Sequence, residues 1–356
     1  MSISGNDYTQ ELHQIVEAAY KKRTALQIIG GNSKAFYGRK PVGEAVTVNR
    51  HHGVIHYEPT ELVLTARAGT RLTDIEALLA EHNQMLPFEP PHFTETATLG
   101  GAVATGLSGP RRPYYGAVRD FVLGVRILNG KAEDLRFGGE VMKNVAGYDV
   151  SRLMTGALGT LGLLLEISIK VLPKPAYETS LIQVCTAEEG MQKLACFSTE
   201  SLPISAACHD GENLHIRLSG AEQAVSKAAT QLGGQPLDNA APFWESVREQ
   251  RHTFFQQTIP LWRISVASFA PMTDYPAPVF IDWGGAQRWM FSEHTADDIW
   301  QLAESQGGHA TLFRHGDRTD EVFQPPAPLL KALHMNIKLA FDPYLIFNQG
   351  RLSSAY

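Results

Sequence analysis

The segment TATLGGAVATGLSGPRRPYYG, residues 96–116, places glycines and hydroxyl side chains directly ahead of two arginines and two tyrosines. Glycine inside an element costs folding entropy, so such a cluster marks tight turns, dense packing or a close approach of main chain to a ligand. Thr98, Thr105 and Ser108 add hydroxyl groups, which packing alone does not require. The segment therefore favours main chain that lies against an extended polar ligand.

Two further stretches repeat this composition. Residues 30–33, GGNS, follow an apolar run, and their backbone N–H groups could turn towards a phosphate as they do in anion-binding nests. Residues 159–162, GTLG, precede another apolar run. Taken singly, the first stretch could be a strand-end turn and the second a crossover between a helix and a strand. Their occurrence in one chain favours a common ligand.

The first half of the chain predicts short strands and few helices around these stretches. Apolar, β-branched runs predict strands over residues 25–29, 45–48, 54–58 and 62–68. A capping-box spacing from Thr73 to Glu76, followed by apolar residues at helical intervals, predicts a helix over residues 71–83. Asn129-Gly130 predicts a hairpin over residues 121–137, and residues 163–171 predict one more strand.

The second half has a different rhythm. Pro173 and Pro175 interrupt the chain, and strands then alternate with helices in two βαβ-like α+β units, which predicts a small antiparallel sheet covered by helices. A final helix candidate, LLKALHMNIKLAF, follows a proline-rich stretch. The predicted organisation is a domain over residues 1–174, a smaller domain over residues 175–323 and a C-terminal segment over residues 324–356 that packs back on the first domain.

Composition and charge exclude several classes of function. A net charge of −6 disfavours broad attraction to nucleic acid or anionic membranes, which need basic patches. The sequence has no apolar run near the roughly 20 residues of a spanning helix and no signal-peptide pattern, so we expect a cytoplasmic protein. Three well separated cysteines, Cys185, Cys196 and Cys208, cannot alone build an iron–sulfur cluster or a zinc site.

Several motifs resemble one flavoprotein superfamily in their order along the chain. IIGGNSK, residues 57–91, ATLGGAVATGLSGP and GALGTLGLLLEISIKVLP resemble the FAD-binding domain of the vanillyl-alcohol oxidase and p-cresol methylhydroxylase superfamily, and KLAFDPYLIFNQGRL resembles its closing segment. With VMKNVAGYDVSRLMTGALGTLG, residues 141–162, and the short middle domain, the chain resembles the family of smaller FAD-binding subunits of bacterial glycolate oxidase. The resemblance covers most of the chain.

The resemblance implies an α+β fold. Its parts are a p-cresol methylhydroxylase-type (PCMH-type) FAD-binding domain, a smaller α+β cap domain with an antiparallel sheet, and a C-terminal segment that returns to the FAD domain. The cofactor implied is FAD and not NAD, whose G-x-G-x-x-G fingerprint the sequence lacks. The predicted cofactor-binding residues are Gly30, Gly31, Asn32, Ser33, Thr98, Leu99, Gly100, Gly101, Thr105, Gly106, Ser108, Tyr115, Gly116, Gly159, Thr160, Gly162 and Asn348.

Many members of the superfamily attach flavin covalently through a histidine in a first loop close to R-G-H-S. Here the loop reads G-G-N-S, and Asn32 occupies the position of that histidine. We therefore predict a non-covalent, dissociable FAD. His92 could supply a second linkage, but we expect it to be a loop histidine in solvent.

Flavin oxidation of a 2-hydroxy acid needs a cation for the carboxylate and a base for the hydroxyl proton. Arg111, Arg112 and Tyr115 follow the second glycine stretch closely enough to be catalytic candidates, since arginine binds carboxylate in a bidentate fork. The arginines could equally pair with FAD phosphates or a neighbouring carboxylate, and the tyrosines could simply pack. We favour a structural or cofactor role for the arginines.

The histidines predict no metal site. Related 2-hydroxy-acid dehydrogenases carry an H-x-H pair with a nearby acid in the second domain, whereas His309 and His315 here are too far apart in sequence to form one. His51, His52 and His56 lack an adjacent acid, so we expect exposed loop residues.

Three functions then compete. The chain oxidises glycolate or a related acid such as D-lactate itself, or it is an FAD-bearing electron relay or assembly subunit, or it is a scaffold that has lost FAD. The intact glycine motifs make the scaffold the weakest of the three. The resemblance implies partners, namely a second flavin subunit and an iron–sulfur subunit, with a peripheral association at the inner membrane only through those partners.

Overall fold

The computed structural model describes residues 5–139, 149–268, 270–272 and 274–355. Residues 141–148 of the motif VMKNVAGYDVSRLMTGALGTLG lie outside the described residues. Both helices and antiparallel sheets are present, as an α+β fold requires. Within the described ranges, no helix combines the length and the apolar composition needed to cross a membrane.

Where the structure describes it, the first part of the chain contains short helices and nine strands, four of which have only two to four residues. The helices are α1 (Thr9–Lys22), α2 (Leu72–Glu81), α3 (Leu99–Thr105), α4 (Arg112–Tyr115), α5 (Val118–Phe121) and α6 (Val150–Met154). The strands are β1 (Leu26–Ile29), β2 (Glu44–Thr47), β3 (Val54–Glu58), β4 (Val63–Arg67), β5 (Gln84–Met85), β6 (Val122–Leu128), β7 (Asp134–Gly138), β8 (Leu163–Lys170) and β9 (Leu172–Pro173).

These strands form one large sheet and two small pairs. The large sheet has the antiparallel order β3-β4-β8-β6-β7, β1 and β2 pair in parallel, and β5 pairs with β9. The predicted strands of this half are confirmed, since β-branched and aromatic residues fit the pleated surface of a sheet. β8, whose side chains are almost all buried, runs through the centre of the core.

Local details of this half differ from the sequence-based expectations. The predicted helix at residues 71–83 is confirmed as α2, but its capping box is wrong: the helix begins at Leu72, so Thr73 and Glu76 lie inside its first turn and Arg71 gives no side-chain cap. The predicted hairpin is confirmed, but residues 129–133 form its turn, which the Asn129 side chain closes by accepting from the N–H groups of Lys131 and Glu133.

Among the helices of this half that were not predicted, α1 and α3 are the longest. The helix α1 was not predicted although Leu12, Val16 and Ala19, at helical spacing, are its buried residues. The second glycine stretch contains α3, where main chain lying open to a ligand was expected. The Thr98 hydroxyl caps α3 by accepting from the Gly101 N–H, which supports a helix that its glycines disfavour.

The second part of the chain contains four helices and eight strands within the described residues. The helices are α7 (Ala187–Phe197), α8 (Glu222–Leu232), α9 (Ala240–Arg248) and α10 (Ala296–Ser305). The strands are β10 (Tyr177–Val184), β11 (Ile204–His209), β12 (Asn213–Gly220), β13 (Gln235–Pro236), β14 (Leu261–Ser265), β15 (Val279–Asp282), β16 (Gln287–Phe291) and β17 (His309–Arg314). Two short 3₁₀ turns, Thr253–Phe255 and Trp283–Gly285, precede β14 and β16.

One eight-stranded sheet joins the two predicted α+β units. Its order is β13-β10-β12-β11-β15-β16-β14-β17, and every pair of neighbours is antiparallel. The predicted antiparallel sheet is thus confirmed, although it has eight strands where a small sheet was expected. The βαβ-like expectation is confirmed in the first unit, where β10 and β11 are joined by α7 and run parallel on either side of β12. The halves of this sheet meet at β11 and β15, where His209 pairs with Ile281.

The C-terminal segment consists of α11 (Pro328–Phe341) and a tail that returns to β1. The Leu26 N–H donates to the Ile346 carbonyl, and the Asn348 N–H donates to the Leu26 carbonyl. At the end of α11 the buried Lys338 ammonium donates to the Asp342 carboxylate at 2.6 Å and to the Thr160 carbonyl at 2.6 Å. This buried pair fixes the tail against the loop that precedes β8.

Candidate functional site

A cleft lies where the end of β1, the helix α3, the loop before β8 and the C-terminal tail meet. It encloses about 880 Å³ when the space open to solvent is counted. The predicted cofactor residues that line it are Gly30, Gly31, Asn32, Ser33, Thr98, Gly100, Gly101, Thr105, Gly159, Gly162 and Asn348. Residues from all three glycine stretches are therefore brought together around one cleft.

The loop after β1 presents main-chain donors to this cleft. In the part of the chain that the structure describes, the backbone N–H groups of residues 30–34 donate to no protein acceptor. Asn32 has a positive φ of 57°, and such a reversal of the backbone turns successive N–H groups to one side. A Cβ on Gly31 would overlap the Thr96 carbonyl, so glycine is required there. The loop has the donor arrangement of an anion-binding nest.

Two cations that the sequence analysis did not select stand beside this loop. Lys34 lines the cleft, and its 5%-exposed side chain has the Ser33 hydroxyl as its hydrogen-bond partner at 3.3 Å. Burial lowers the pKa of Lys34 to about 8. Arg351 also lines the cleft and donates to the carbonyls of Lys34 and Ala35. Lys34 could have been found in the sequence, because it directly follows GGNS. No local pattern marks Arg351.

The helix α3 leaves space for a ligand in the cleft but offers few free hydrogen-bond donors. The Gly100 N–H donates to the Ala68 carbonyl, the Gly101 N–H donates to the Thr98 hydroxyl, and the Thr105 hydroxyl donates to the Gly101 carbonyl. A Cβ on Gly100 would lie 2.8 Å from the Ala68 Cβ, so glycine lets α3 pack closely on the end of β4. Thr98 and Thr105 use their hydroxyl groups inside the helix.

Asn348 connects the remaining walls of the cleft. Its Oδ1 accepts from the Ile28 N–H at 2.7 Å, and its Nδ2 donates to the Leu158 carbonyl at 2.6 Å. Gly159 has a φ of 70°, and a Cβ there would lie 2.7 Å from the Asn348 Nδ2. A single buried amide thus holds the tail, β1 and the third glycine stretch in register.

Six predicted cofactor residues do not line this cleft: Leu99, Gly106, Ser108, Tyr115, Gly116 and Thr160. Leu99 is fully buried in the core, and the Thr160 hydroxyl donates to the Ala157 carbonyl. The Ser108 hydroxyl accepts from the Val118 N–H at 3.2 Å. Gly106 ends α3 and Gly116 ends α4, each with a positive φ that suits glycine.

None of the catalytic candidates lines the cleft, and Arg111 lies in a buried ionic network. Arg111 is 4% exposed, and its guanidinium donates to Glu89 at 3.1 Å and to Glu178 at 2.8 Å. Arg217 of β12 donates to the same Glu89 at 2.9 Å. Burial opposes ionisation of Glu89, but Arg217 and Arg111 outweigh it and hold the pKa of that carboxyl below its usual range. Tyr115 packs against Arg111, whose guanidinium carbon lies 5.0 Å from the centre of the Tyr115 ring.

Arg112, the other candidate, stacks on an aromatic ring of the second part of the chain. Its guanidinium carbon lies 4.2 Å from the centre of the Trp283 ring, a geometry that gives a cation–π interaction. The Trp283 indole N–H donates to the Gly109 carbonyl at 3.0 Å. Arg112 therefore helps to join the loop after α3 to the eight-stranded sheet.

Two histidine expectations are wrong. His92 is not a loop residue in solvent: its ring is 13% exposed and lies 3.2 Å from Glu76. His51 is fully buried, and its Nδ1 accepts from the Tyr8 N–H. His52 and His56 are exposed as expected, although His56 lies in β3 and not in a loop. Across residues 5–139, 149–268, 270–272 and 274–355, no three histidine, cysteine or acidic side chains group as metal ligands would.

Comparisons with known proteins agree with this geometry. A family model described as an FAD binding domain matches residues 7–138. The glycolate oxidase subunit GlcE of Escherichia coli strain K12 is 50% identical over 346 residues, which cover 97% of this chain and 97% of that protein. The glycolate oxidase subunit GlcD of Bacillus subtilis strain 168 is 30% identical over 176 residues, which cover 49% of this chain and 37% of that subunit.

Solved structures support the fold. The structure of p-cresol methylhydroxylase with substrate bound matches 98% of this chain and 88% of its own with a TM-score of 0.74 and 15% sequence identity. An alkyldihydroxyacetonephosphate synthase matches 95% of this chain and 74% of its own with a TM-score of 0.67. Both identities are low, so these matches bear on the fold alone. The identity to GlcE over nearly the whole of both sequences places this chain in the family of the glycolate oxidase subunit GlcE, a family of FAD-dependent oxidoreductases.

Proposed function

We propose that this chain is the FAD-binding subunit of a glycolate oxidase-type complex. It oxidises glycolate, or a related 2-hydroxy acid such as D-lactate, to the 2-oxo acid and passes the electrons through its flavin to partner subunits. The observation that carries the proposal is the 50% identity to a glycolate oxidase subunit over 97% of both chains. D-Lactate is proposed as the related acid because a protein named D-lactate dehydrogenase is 28% identical over 49% of this chain.

The geometry of the cleft supports FAD binding independently of the comparisons. A diphosphate needs donors and positive charge, which the N–H groups of residues 30–34, Lys34 and Arg351 supply. Flat rings need walls without projecting side chains, which the main chain of Gly100, Gly101 and Gly159 provides. When bound, FAD would accept the two electrons released by oxidation of the acid. The protein itself orients both molecules and excludes water between them.

The other predicted cofactor residues support the cleft from behind. Leu99 and Thr160 are buried beside it, Gly106 ends α3, which lines it, Gly116 ends α4, and Ser108 holds the loop after α3. In this proposal Arg111, Arg112 and Tyr115 fix the FAD domain, residues 1–174, against the cap domain, residues 175–323. The C-terminal segment, residues 324–356, closes the cleft through Asn348 and Arg351.

The bound FAD is dissociable in this proposal. Among the described residues that line the cleft there is no histidine or cysteine, and Asn32 occupies the position of the histidine linkage. Acid precipitation of the FAD-loaded protein should leave the yellow colour in the supernatant. A yellow pellet would contradict a dissociable cofactor while leaving FAD binding itself intact.

The partners are a second flavin subunit and an iron–sulfur subunit, and any membrane association of this otherwise cytoplasmic chain runs through them. Anaerobic mixing of the FAD-loaded chain with glycolate or D-lactate tests the function directly. For the isolated chain, we expect the flavin absorbance near 450 nm to be lost after about one equivalent of acid has been added. Bleaching only in the presence of the partners would instead make this chain an electron relay or assembly subunit.

A further inference from the structure

The C-terminal helix α11 exposes apolar side chains on the face that is turned away from the protein. Its buried residue is Lys338, whose ammonium donates to the Thr160 carbonyl and the Asp342 carboxylate. The residues opposite Lys338 follow one another at intervals of three and four, as one face of a helix requires. We call this the outer face of α11, and all six of its residues are exposed: Leu329, Ala332, Leu333, Asn336, Leu339 and Ala340.

The outer face is unusual for a surface helix, whose solvent side is normally polar. Leu329 is 82% exposed, Leu333 51% and Leu339 42%. Five of the eleven exposed large hydrophobic side chains of the described residues lie between Leu329 and Tyr344. Single exposed apolar residues are common on protein surfaces, whereas a group of them marks a binding surface.

The first two turns of α11 receive little support from the rest of the described chain. All residues from 325 to 334 are exposed, and Ala327 at the N-cap gives no side-chain cap. A short helix is marginal in water unless an apolar face packs on something. On the inner side Ile337 and Phe341 pack against the core of the first part, so the helix is apolar on both sides. Such a helix is typical of one that is buried on both sides.

The charge of α11 indicates what covers this face. Residues 322–341 contain no acidic residue, although the whole chain has a net charge of −6. Lys338 is paired with Asp342, which leaves Lys331 and His334 as the exposed basic residues of the helix. A second copy of this chain seated on α11 would bring the basic residues of both helices together with no acidic residue of α11 to pair them. A partner with carboxylates beside an apolar groove is complementary to both features.

We propose that the outer face of α11 is the docking surface for a partner subunit, which receives the helix in an apolar groove edged by carboxylates. Leu329, Leu333 and Leu339 are the apolar anchors, and Lys331 pairs at the rim. Asn336, the polar residue within the apolar face, fixes the register of the two surfaces.

This inference deepens the proposed function and rests on it, because the complex proposed there supplies the partner. Lys338 joins α11 to the Thr160 carbonyl, in the loop whose Gly159 lines the FAD cleft. A subunit that docks on the outer face therefore binds to the helix that supports one wall of that cleft.

Biolayer interferometry of the FAD-loaded full chain against the purified second flavin subunit and the purified iron–sulfur subunit tests the inference. One of the two should bind, and Leu333→Glu should weaken that binding at least about thirtyfold, because a charge replaces an apolar anchor. The matched control is Val184→Glu, since Val184 is 86% exposed and ends β10 of the eight-stranded sheet. Equal affinity of wild type and Leu333→Glu would overturn the inference.

A charge variant tests the acidic edge of the groove. Lys331→Glu should weaken binding by about tenfold at low ionic strength and by less at high ionic strength, because salt screens the repulsion. Lys331→Gln removes the attraction without adding repulsion and should give a smaller loss. An affinity that is unchanged in Lys331→Glu would overturn the acidic character of the partner.

The isolated chain tests the other occupants of the face. Light scattering should find a monomer, and a dimer that Leu333→Glu dissociates would assign the face to a second copy and overturn the inference. The urea midpoint of isolated Leu333→Glu should match that of wild type, because the substituted side chain lies at the surface. A clearly lowered midpoint would show that the chain covers this face itself, which also overturns the inference.

The outcomes separate this inference from the function on which it rests. A chain that binds a partner through Leu333 but takes up no FAD would overturn the proposed function and leave the docking surface standing. A chain whose flavin is bleached by glycolate but that binds neither subunit would keep the oxidation and overturn the inference. Leu333→Glu should bind as much FAD as wild type, since the outer face does not line the cleft.

Discussion

Replacing Asp282 with asparagine should remove a large pH-dependent loss of stability from this protein. Asp282 ends β15 and is 4% exposed. Its Oδ1 accepts from the Trp283 N–H at 2.7 Å, and its Oδ2 accepts from the Gln287 side chain at 3.3 Å. Burial raises the pKa of Asp282 from 3.8 to about 7, against the opposing effect of the Trp283 N–H.

The magnitude follows from that shift. A pKa raised from 3.8 to about 7 corresponds to about 4 kcal/mol, at 1.36 kcal/mol for each pH unit. Because the folded protein holds this proton more tightly than the unfolded chain, the stabilisation is complete below about pH 4 and is lost as the pH rises to about 7. Asparagine cannot ionise. The free energy of unfolding of Asp282→Asn, relative to wild type, should therefore rise by about 4 kcal/mol between pH 4 and pH 8.

Urea unfolding of wild type and variant at several pH values between 4 and 8 measures this difference. Asparagine can keep the bond to the Trp283 N–H, and the unpaired Gln287 Oε1 can accept from its new amide group, so the variant should fold. Other groups that face Asp282, namely Glu89, Arg217, Tyr114 and Cys208, are common to both proteins. Asp297→Asn, an exposed substitution on α10, is the control. A difference between Asp282→Asn and wild type that does not change with pH would refute the reasoning.

Three further substitutions test the cleft and the C-terminal tail. Gly31→Ala should give colourless protein after incubation with FAD, because the added Cβ overlaps the Thr96 carbonyl; a normal flavin spectrum would contradict the anion nest. Lys34→Ala should weaken FAD binding by about tenfold in a fluorescence titration, while Lys34→Arg retains most of the affinity; equal loss in both would argue against a charge effect. Lys338→Met leaves the Asp342 carboxylate buried and unpaired, and should lower the free energy of unfolding by about 3 to 5 kcal/mol in urea. Adding Asp342→Asn to that variant should restore part of the loss.

The strands and most helices could be predicted because their signals are local. Residues 163–170 are an apolar run that fits a buried strand, residues 54–58 are rich in strand-favouring side chains, and Asn129-Gly130 lies where the chain reverses. The helix α3 could not be predicted in this way, since glycine disfavours helices and the gain that outweighs it comes from packing on Ala68. The single eight-stranded sheet depends on the contact between His209 and Ile281, which are far apart in sequence.

The glycines that line the cleft could be predicted from the sequence, whereas the cations that lie near them could not. The glycines at residues 30, 31, 100 and 159 could be recognised by their residue type, because each makes room for a neighbouring segment: Gly31 and Gly100 for main chain, Gly30 and Gly159 for the side chains of Thr98 and Asn348. Lys34 and Arg263 could not be recognised by residue type, because lysine and arginine are ordinarily solvated residues. Their burial arises from Arg351 and Tyr37, which join them from distant parts of the chain.

The junction between the two sheets holds buried charges that stability alone does not explain. Glu89 pairs with Arg111 of the first part and Arg217 of the second, and Glu249 of the second part accepts from the N–H groups of His92 and Phe93. Removing such charges from water costs about as much as their attraction returns, so these pairs add little net stability. They do fix distances, because each carboxylate has its hydrogen bonds satisfied from both sides. Phe93 and the loop after α3 are both held by these pairs. Their role is to hold these two segments of the first part at fixed distances from the eight-stranded sheet.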